Sequence, residues 1–187
     1  MVTPMANPEY QDTLDIFDKL SVCLYRLGLS LFAFALLLLG LNMLNRMPQT
    51  GISLHSSVII AFISAVICAA NIHVYSKMIR LIIQWSTWVS AVLIAIDYDW
   101  QFWWLPLGFI FVTFSGIALK ESFCFRVVGL KVTPLLLAPS VLLIFSQQME
   151  IAGFLLLVSG VVFGFLSLVK WRMPLHFDIG IKNNYEV

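Results

Sequence analysis

Charge is scarce in this sequence. Asp, Glu, Lys and Arg make up 11% of its 187 residues. A soluble domain carries about a quarter. With 60% hydrophobic residues and a mean hydropathy of +0.94, the chain has too little polar surface to coat a water-soluble globule. Its solvent is therefore a bilayer. Cysteine is also sparse, and Cys23, Cys68 and Cys124 show none of the spacings of a metal site. The first twenty residues lack a basic region followed by a short apolar stretch, so a cleavable signal peptide is not expected. Basic residues form no nucleic-acid footprint. No internal repeat relates the first half to the second, so the inverted-repeat signature of many secondary transporters is missing. Acids are absent from the middles of the apolar runs. Asp97, Asp99, Glu121 and Glu150 lie at or near their ends, which argues against a proton-coupled transporter.

Six long apolar runs are present. They cover Val22 to Leu44, Val58 to Tyr75, Ile79 to Ile96, Phe102 to Leu119, Val132 to Gln147 and Ile151 to Val169. A hydrocarbon core of about 30 Å takes about 20 helical residues. The expectation is an all-α, polytopic helix bundle with six transmembrane helices. Residues 1–21 form a cytosolic leader, 22–169 the membrane domain and 170–187 a cytosolic tail. The fifth run is the weakest span, because it is short and carries Pro134 and Pro139. Pro134 suits a first helical turn, whereas Pro139 kinks a helix. In the leader, Asp12, Asp15 and Asp18 form one stripe and Leu14, Phe17 and Leu20 another. That pattern predicts a short amphipathic helix with its apolar side against the bundle.

The basic residues give the orientation. Lys19, Arg26, Lys77, Arg80, Lys120, Arg126, Lys131, Lys170, Arg172 and Lys182 fall on one side of a six-span topology, and Arg46 on the other. The positive-inside rule then places both termini in the cytosol. Trp100, Phe102, Trp103 and Trp104 mark the opposite interface beside the Asp97–Asp99 turn.

Each functional candidate has a plain structural alternative. Arg26 lies one turn into the first run, where it reads as a snorkelling anchor before it reads as a functional charge. Asn71 and His73, near the end of the second run, and Gln84 on the third suggest a polar region. An Asn71–Gln84 hydrogen bond acting as packing glue is the simpler role. Lys120, Glu121, Cys124 and Arg126 share a loop of alternating charged and apolar residues. Arg126 beside Cys124 favours a thiolate, but nothing else there points to a catalytic thiol. His176 and Asp178 in the tail suit a hydrogen-bonded pair or a tail packed under the helices better than a two-ligand metal site. Small residues at Ala61, Ala65 and Ala69, and at Gly160 and Gly164, fit close helix packing within the chain. A membrane-protein partner or a second copy is the alternative use. No catalytic residue, metal ligand or cofactor is expected.

Three stretches together resemble a known family. They are DKLSVCLYRLGLSL entering the first run, KESFCF after the fourth, and PLHFDIG with the closing YEV. These look like the integral membrane proteins grouped as domain-of-unknown-function family 2301. The resemblance extends over nearly the whole chain. It implies a bacterial membrane protein of several helices and supplies no activity, cofactor or catalytic residue.

The function expected from the sequence is a non-enzymatic packing, assembly or accessory component of a membrane. A small transporter or channel using Asn71, His73 and Gln84 is the second reading. A membrane-bound redox factor or enzyme using Cys124 and His176 is the third.

Overall fold

The computed structural model describes residues 14–45, 52–124 with the Cys124 side chain excepted, and 127–179. Arg126, Asp12 and Lys182 lie outside the described residues, as does the reactive group of Cys124. Seven helices and no strands occur among the described residues: α1 (Ile16–Met43), α2 (Leu54–Ala70), α3 (Lys77–Ile96), α4 (Trp104–Cys124), α5 (Thr133–Phe145), α6 (Met149–Trp171) and α7 (His176–Ile179). The six apolar runs correspond to α1 through α6. Four helices, α1, α3, α4 and α6, are long and apolar enough to cross a membrane. At 1.5 Å per residue, the 17 residues of α2 reach about 25 Å and the 13 of α5 about 20 Å.

Local chemistry sets the helix ends. Asp15 caps α1, and Asp18 returns a bond to the Asp15 backbone in a capping box. Two of the leader aspartates therefore neutralise unpaired N–H groups. From Ile16 onward, the leader is the first turn of α1 and not an element of its own. Phe17 and Leu20 are exposed, contrary to the expected docking of that stripe against the bundle. Ser53 caps α2. Pro134 sits in the first turn of α5, and Pro139 is inside it on an exposed position.

The helices close into a ring. α1 packs most extensively on α6 and α2, α2 touches α4, α4 packs on α5, and α5 on α6. α3 leans on α4 and, less, on α2 from outside the ring. It turns Leu81, Ile82, Trp85, Trp88 and Val92 outward. Its polar stripe faces α4, where Thr87 Oγ1 lies 3.0 Å from Thr113 Oγ1 and Ser90 donates to the Pro106 carbonyl at 3.1 Å. Aromatic rings fill the centre of the ring. Phe32 of α1 stacks on Phe114 of α4 with centroids 3.4 Å apart, and Phe163 of α6 meets both edge-on.

Both small-residue stripes are consumed inside the chain. Ala61, Ala65 and Ala69 are buried in the core. A Cβ on Gly160 would meet Leu37 Cδ2 at 3.0 Å, and the nearest neighbour of Gly164 is Ala33, also on α1. The alanine stripe and Gly160 thus serve packing within the chain, while Gly164 is half-buried. A closer helix approach, unmarked by any such motif, joins Gly40 to Gly153, where a Cβ on Gly40 would fall 2.8 Å from the Gly153 carbonyl oxygen.

Candidate functional site

Helix-end charges converge two turns from the aromatic centre. Tyr25 precedes Phe32 by seven residues, Glu121 follows Phe114 by seven, and Lys170 follows Phe163 by seven. Seven residues are close to two helical turns, so each polar group shares a face with its phenylalanine and lies about 10 Å along the axis. α1, α4 and α6 thus bring Tyr25, Glu121 and Lys170 together beneath the rings. The Tyr25 hydroxyl donates to Glu121 Oε1 at 2.6 Å. Lys120 also donates to Oε1, at 2.9 Å. Oε2 is paired with the Lys170 ammonium at 2.6 Å.

The tail completes the cluster. After α6 the chain turns back through Arg172–Leu175, and α7 carries Asp178 against α1. Asp178 Oδ1 pairs with Lys170. Asp178 Oδ2 accepts from Arg26 Nε at 2.8 Å and from Arg26 Nη2 at 2.5 Å. Two further Arg26 bonds reach the connector: Nη1 donates to the Met173 carbonyl at 2.8 Å, and Nη2 to the Pro174 carbonyl at 3.0 Å. Beside them, Ser30 and Ser167 hydroxyls lie 2.7 Å apart, and the Trp171 indole N–H donates to Ser30 at 3.0 Å. Arg26, Glu121, Lys170 and Asp178 are all at least 95% buried.

Charges so far from water must be paired, because desolvation costs several kcal/mol per ion. Each ion here has an opposite charge within contact, and Lys170 has two. Arg26 is therefore no snorkelling anchor. It is 1% exposed and points into the bundle. Glu121 lies at a helix end as expected, but that end is buried, and the acid belongs to the interior.

The other candidates lie apart from one another or serve the backbone. Asn71 ends α2 and donates to the Ile67 carbonyl at 2.9 Å. Gln84 reaches the Ala69 carbonyl at 3.5 Å, so the expected Asn71–Gln84 bond is replaced by a side chain-to-backbone contact across α2 and α3. His73, in the α2–α3 connection, has a buried Nδ1 without a hydrogen-bond partner. Burial first, and the Lys120 ammonium second, hold its imidazole below the ordinary range. His176 is half-buried beside Phe177, and both oxygens of Asp178 are taken by cations. Tyr25, Ser30, Ser167, Lys170 and Trp171 were not singled out by the sequence. The seven-residue spacing from three buried phenylalanines is the signal that marks Tyr25 and Lys170.

Comparison with known proteins adds the family. Residues 67–186 match the model of an uncharacterized integral membrane protein family, DUF2301. The chain belongs to this family. A protein of Haemophilus influenzae (strain ATCC 51907 / DSM 11121 / KW20 / Rd), described as uncharacterized, is 32% identical over 183 residues, covering 98% of this chain and all of the relative. No solved structure matches. The family is one of integral membrane proteins, and the apolar helices fit membrane spans. The three stretches that carry the resemblance in sequence supply much of the cluster in space, with Lys170 of α6 lying outside them. Tyr25, Arg26 and Ser30 come from the first, Lys120 and Glu121 from the second, and Asp178 from the third.

Proposed function

We propose that the chain is a six-span protein of a bacterial cytoplasmic membrane, with both termini in the cytosol. We propose further that it works as a small ion-coupled transporter centred on Arg26, Glu121, Lys170 and Asp178. In this reading it is not an enzyme and needs no cofactor. The topology is supported by the basic residues gathered on one side. It is also supported by the packing of α2 and α5 between longer helices, α5 against α4 and α6.

One observation carries the transport reading: the Lys170 ammonium stands between two buried carboxylates, Glu121 from α4 and Asp178 from α7. Ionisable residues inside a membrane bundle are costly and mark ion and proton pathways. For Glu121 to take a proton it would part from Lys120 and Lys170, while Asp178 keeps the counter-charge of Lys170. Lys120, with its side chain 13% exposed, connects Glu121 toward solvent. The rings of Phe32, Phe114 and Phe163 close the other side. Two observations weigh for transport over an accessory role. The small-residue stripes pack within the chain, and Glu121 and Asp178 are buried acids. The polar region named for transport moves accordingly, from Asn71, His73 and Gln84 to this cluster.

An accessory role remains the second reading, supported by the outward face of α3 with Trp85 and Trp88 at mid-helix. Tryptophan is ordinarily enriched at the interfaces and not at mid-membrane. Purified protein in sealed vesicles containing a pH-sensitive dye separates the readings. Transport predicts faster internal pH change than in empty vesicles under an imposed potential. Equal rates would reject it.

A further inference from the structure

We propose that Arg26 and Lys170 form a binding site for an anionic group, a carboxylate or phosphate, which the chain's own Asp178 occupies as a tethered competitor. Two cations from different helices grip one carboxylate, Arg26 through Nε and Nη2 on Oδ2 and Lys170 on Oδ1. Directed guanidinium and ammonium donors of this kind are how proteins hold carboxylate and phosphate ligands.

Each cation also has a contact outside α7. The Met173 and Pro174 carbonyls hold Arg26, and Glu121 holds Lys170. Those groups belong to the connector and to α4, not to α7. The site therefore stays assembled if α7 swings away about Leu175. α7 is a single four-residue turn whose buried residues are Asp178 and Ile179, and it packs on α1. An anion arriving from the side where the tail lies would replace one carboxylate with another, leaving every buried cation paired. No uncompensated charge is created by the exchange, which would otherwise forbid it.

The inference deepens the transport reading by naming a ligand class, and its test reads binding without flux. Lost flux with intact anion binding would sink transport alone; lost anion binding with intact flux would sink this inference alone. The purified Asp178→Ala protein, in uncharged detergent, is titrated with sodium acetate, with inorganic phosphate and with phosphatidylglycerol, against acetamide and matched sodium chloride. The expected result is a saturable rise in melting temperature with an anion and none with the controls. Adding Arg26→Gln should weaken that binding about tenfold or more. A rise with phosphatidylglycerol alone assigns the site to a lipid headgroup, and a rise with acetate or phosphate assigns it to a soluble anion. Hydrogen exchange of the α7 amides in the unaltered protein provides the second measurement, needing no variant to fold. Exchange should quicken as the same anion is added. No saturable rise in a folded Asp178→Ala protein, a rise undiminished by Arg26→Gln, or α7 exchange indifferent to all three anions would overturn the proposal.

Discussion

The Lys170 ammonium lies 2.6 Å from Glu121 Oε2, with both side chains at most 1% exposed. α6 and α4 end at this pair, and α7 adds Asp178 to it from the tail. The bundle is thus joined by charge at one end and by aromatic packing two turns away.

Removing one ion should be worse than removing its partner as well. Lys170→Met leaves Glu121 with Lys120 alone and Asp178 with Arg26 alone, and should cost about 3 kcal/mol, the lower end for a broken buried pair. Combining it with Glu121→Gln should recover part of that loss. Unfolding in detergent, compared across the two single variants and the double, measures the difference; strictly additive losses would show that the pair does not interact.

Much of the fold, and less of the cluster, is legible in the sequence. α1 through α6 are all visible as apolar runs, and bilayer thickness accounts for the length of the four long ones, α1, α3, α4 and α6. Arg26 stands out as a charge within a run, but its counter-ion lies 152 positions away. Nothing local distinguishes a snorkelling arginine from one that turns inward. Lys170 and Glu121 resemble ordinary interfacial residues for the same reason: they lie in last turns, and burial there is decided by the returning tail. The seven-residue spacings from Phe32, Phe114 and Phe163 are present in the sequence. They become informative only once α1, α4 and α6 are known to face one another. The α3 stripe is legible as polar, but not as facing α4, since sequence adjacency favours α2.

Close backbone approach makes one glycine far less replaceable than another. Gly40→Ala places a methyl 2.8 Å from the Gly153 carbonyl oxygen, and α1 and α6 must separate to admit it. Overpacking of this kind costs about 1–3 kcal/mol. Gly164→Ala meets nothing closer than Ala33 Cβ at 4.0 Å and should leave thermal stability nearly unchanged. Similar melting temperatures for the two variants would contradict the α1–α6 packing described here.

Acid should weaken the protein through His73. Burial, followed by Lys120, lowers the pKa of this imidazole in the folded state, with Asp178, a hydrogen bond to the Asn71 backbone and Asp18 opposing. The unfolded chain therefore binds a proton that the folded chain resists. The contribution is fully present above the unfolded value of about 6.5 and is lost as pH falls below it, toward the folded value. Melting temperature in detergent should drop over that window, and less steeply in His73→Gln. Parallel pH curves for the two proteins would rule out His73 as the cause.

Orientation can be read with a reporter fused after Val187. Six spans with a cytosolic start put it in the cytosol, and a reporter active only on the far side would mean that one apolar helix, with α5 at about 20 Å the first suspect, does not cross.

The most direct test of the proposed centre is proton movement into vesicles carrying Glu121→Gln protein, beside Glu150→Gln as an exposed acid on the same chain. Both variants are first matched to the parent for helix content and for monodispersity in detergent. Glu121→Gln is expected to abolish the dye response and Glu150→Gln to retain it. A response in Glu121→Gln equal to that of the parent, from protein that remains folded, would contradict the assignment of this cluster as the ion-coupling site.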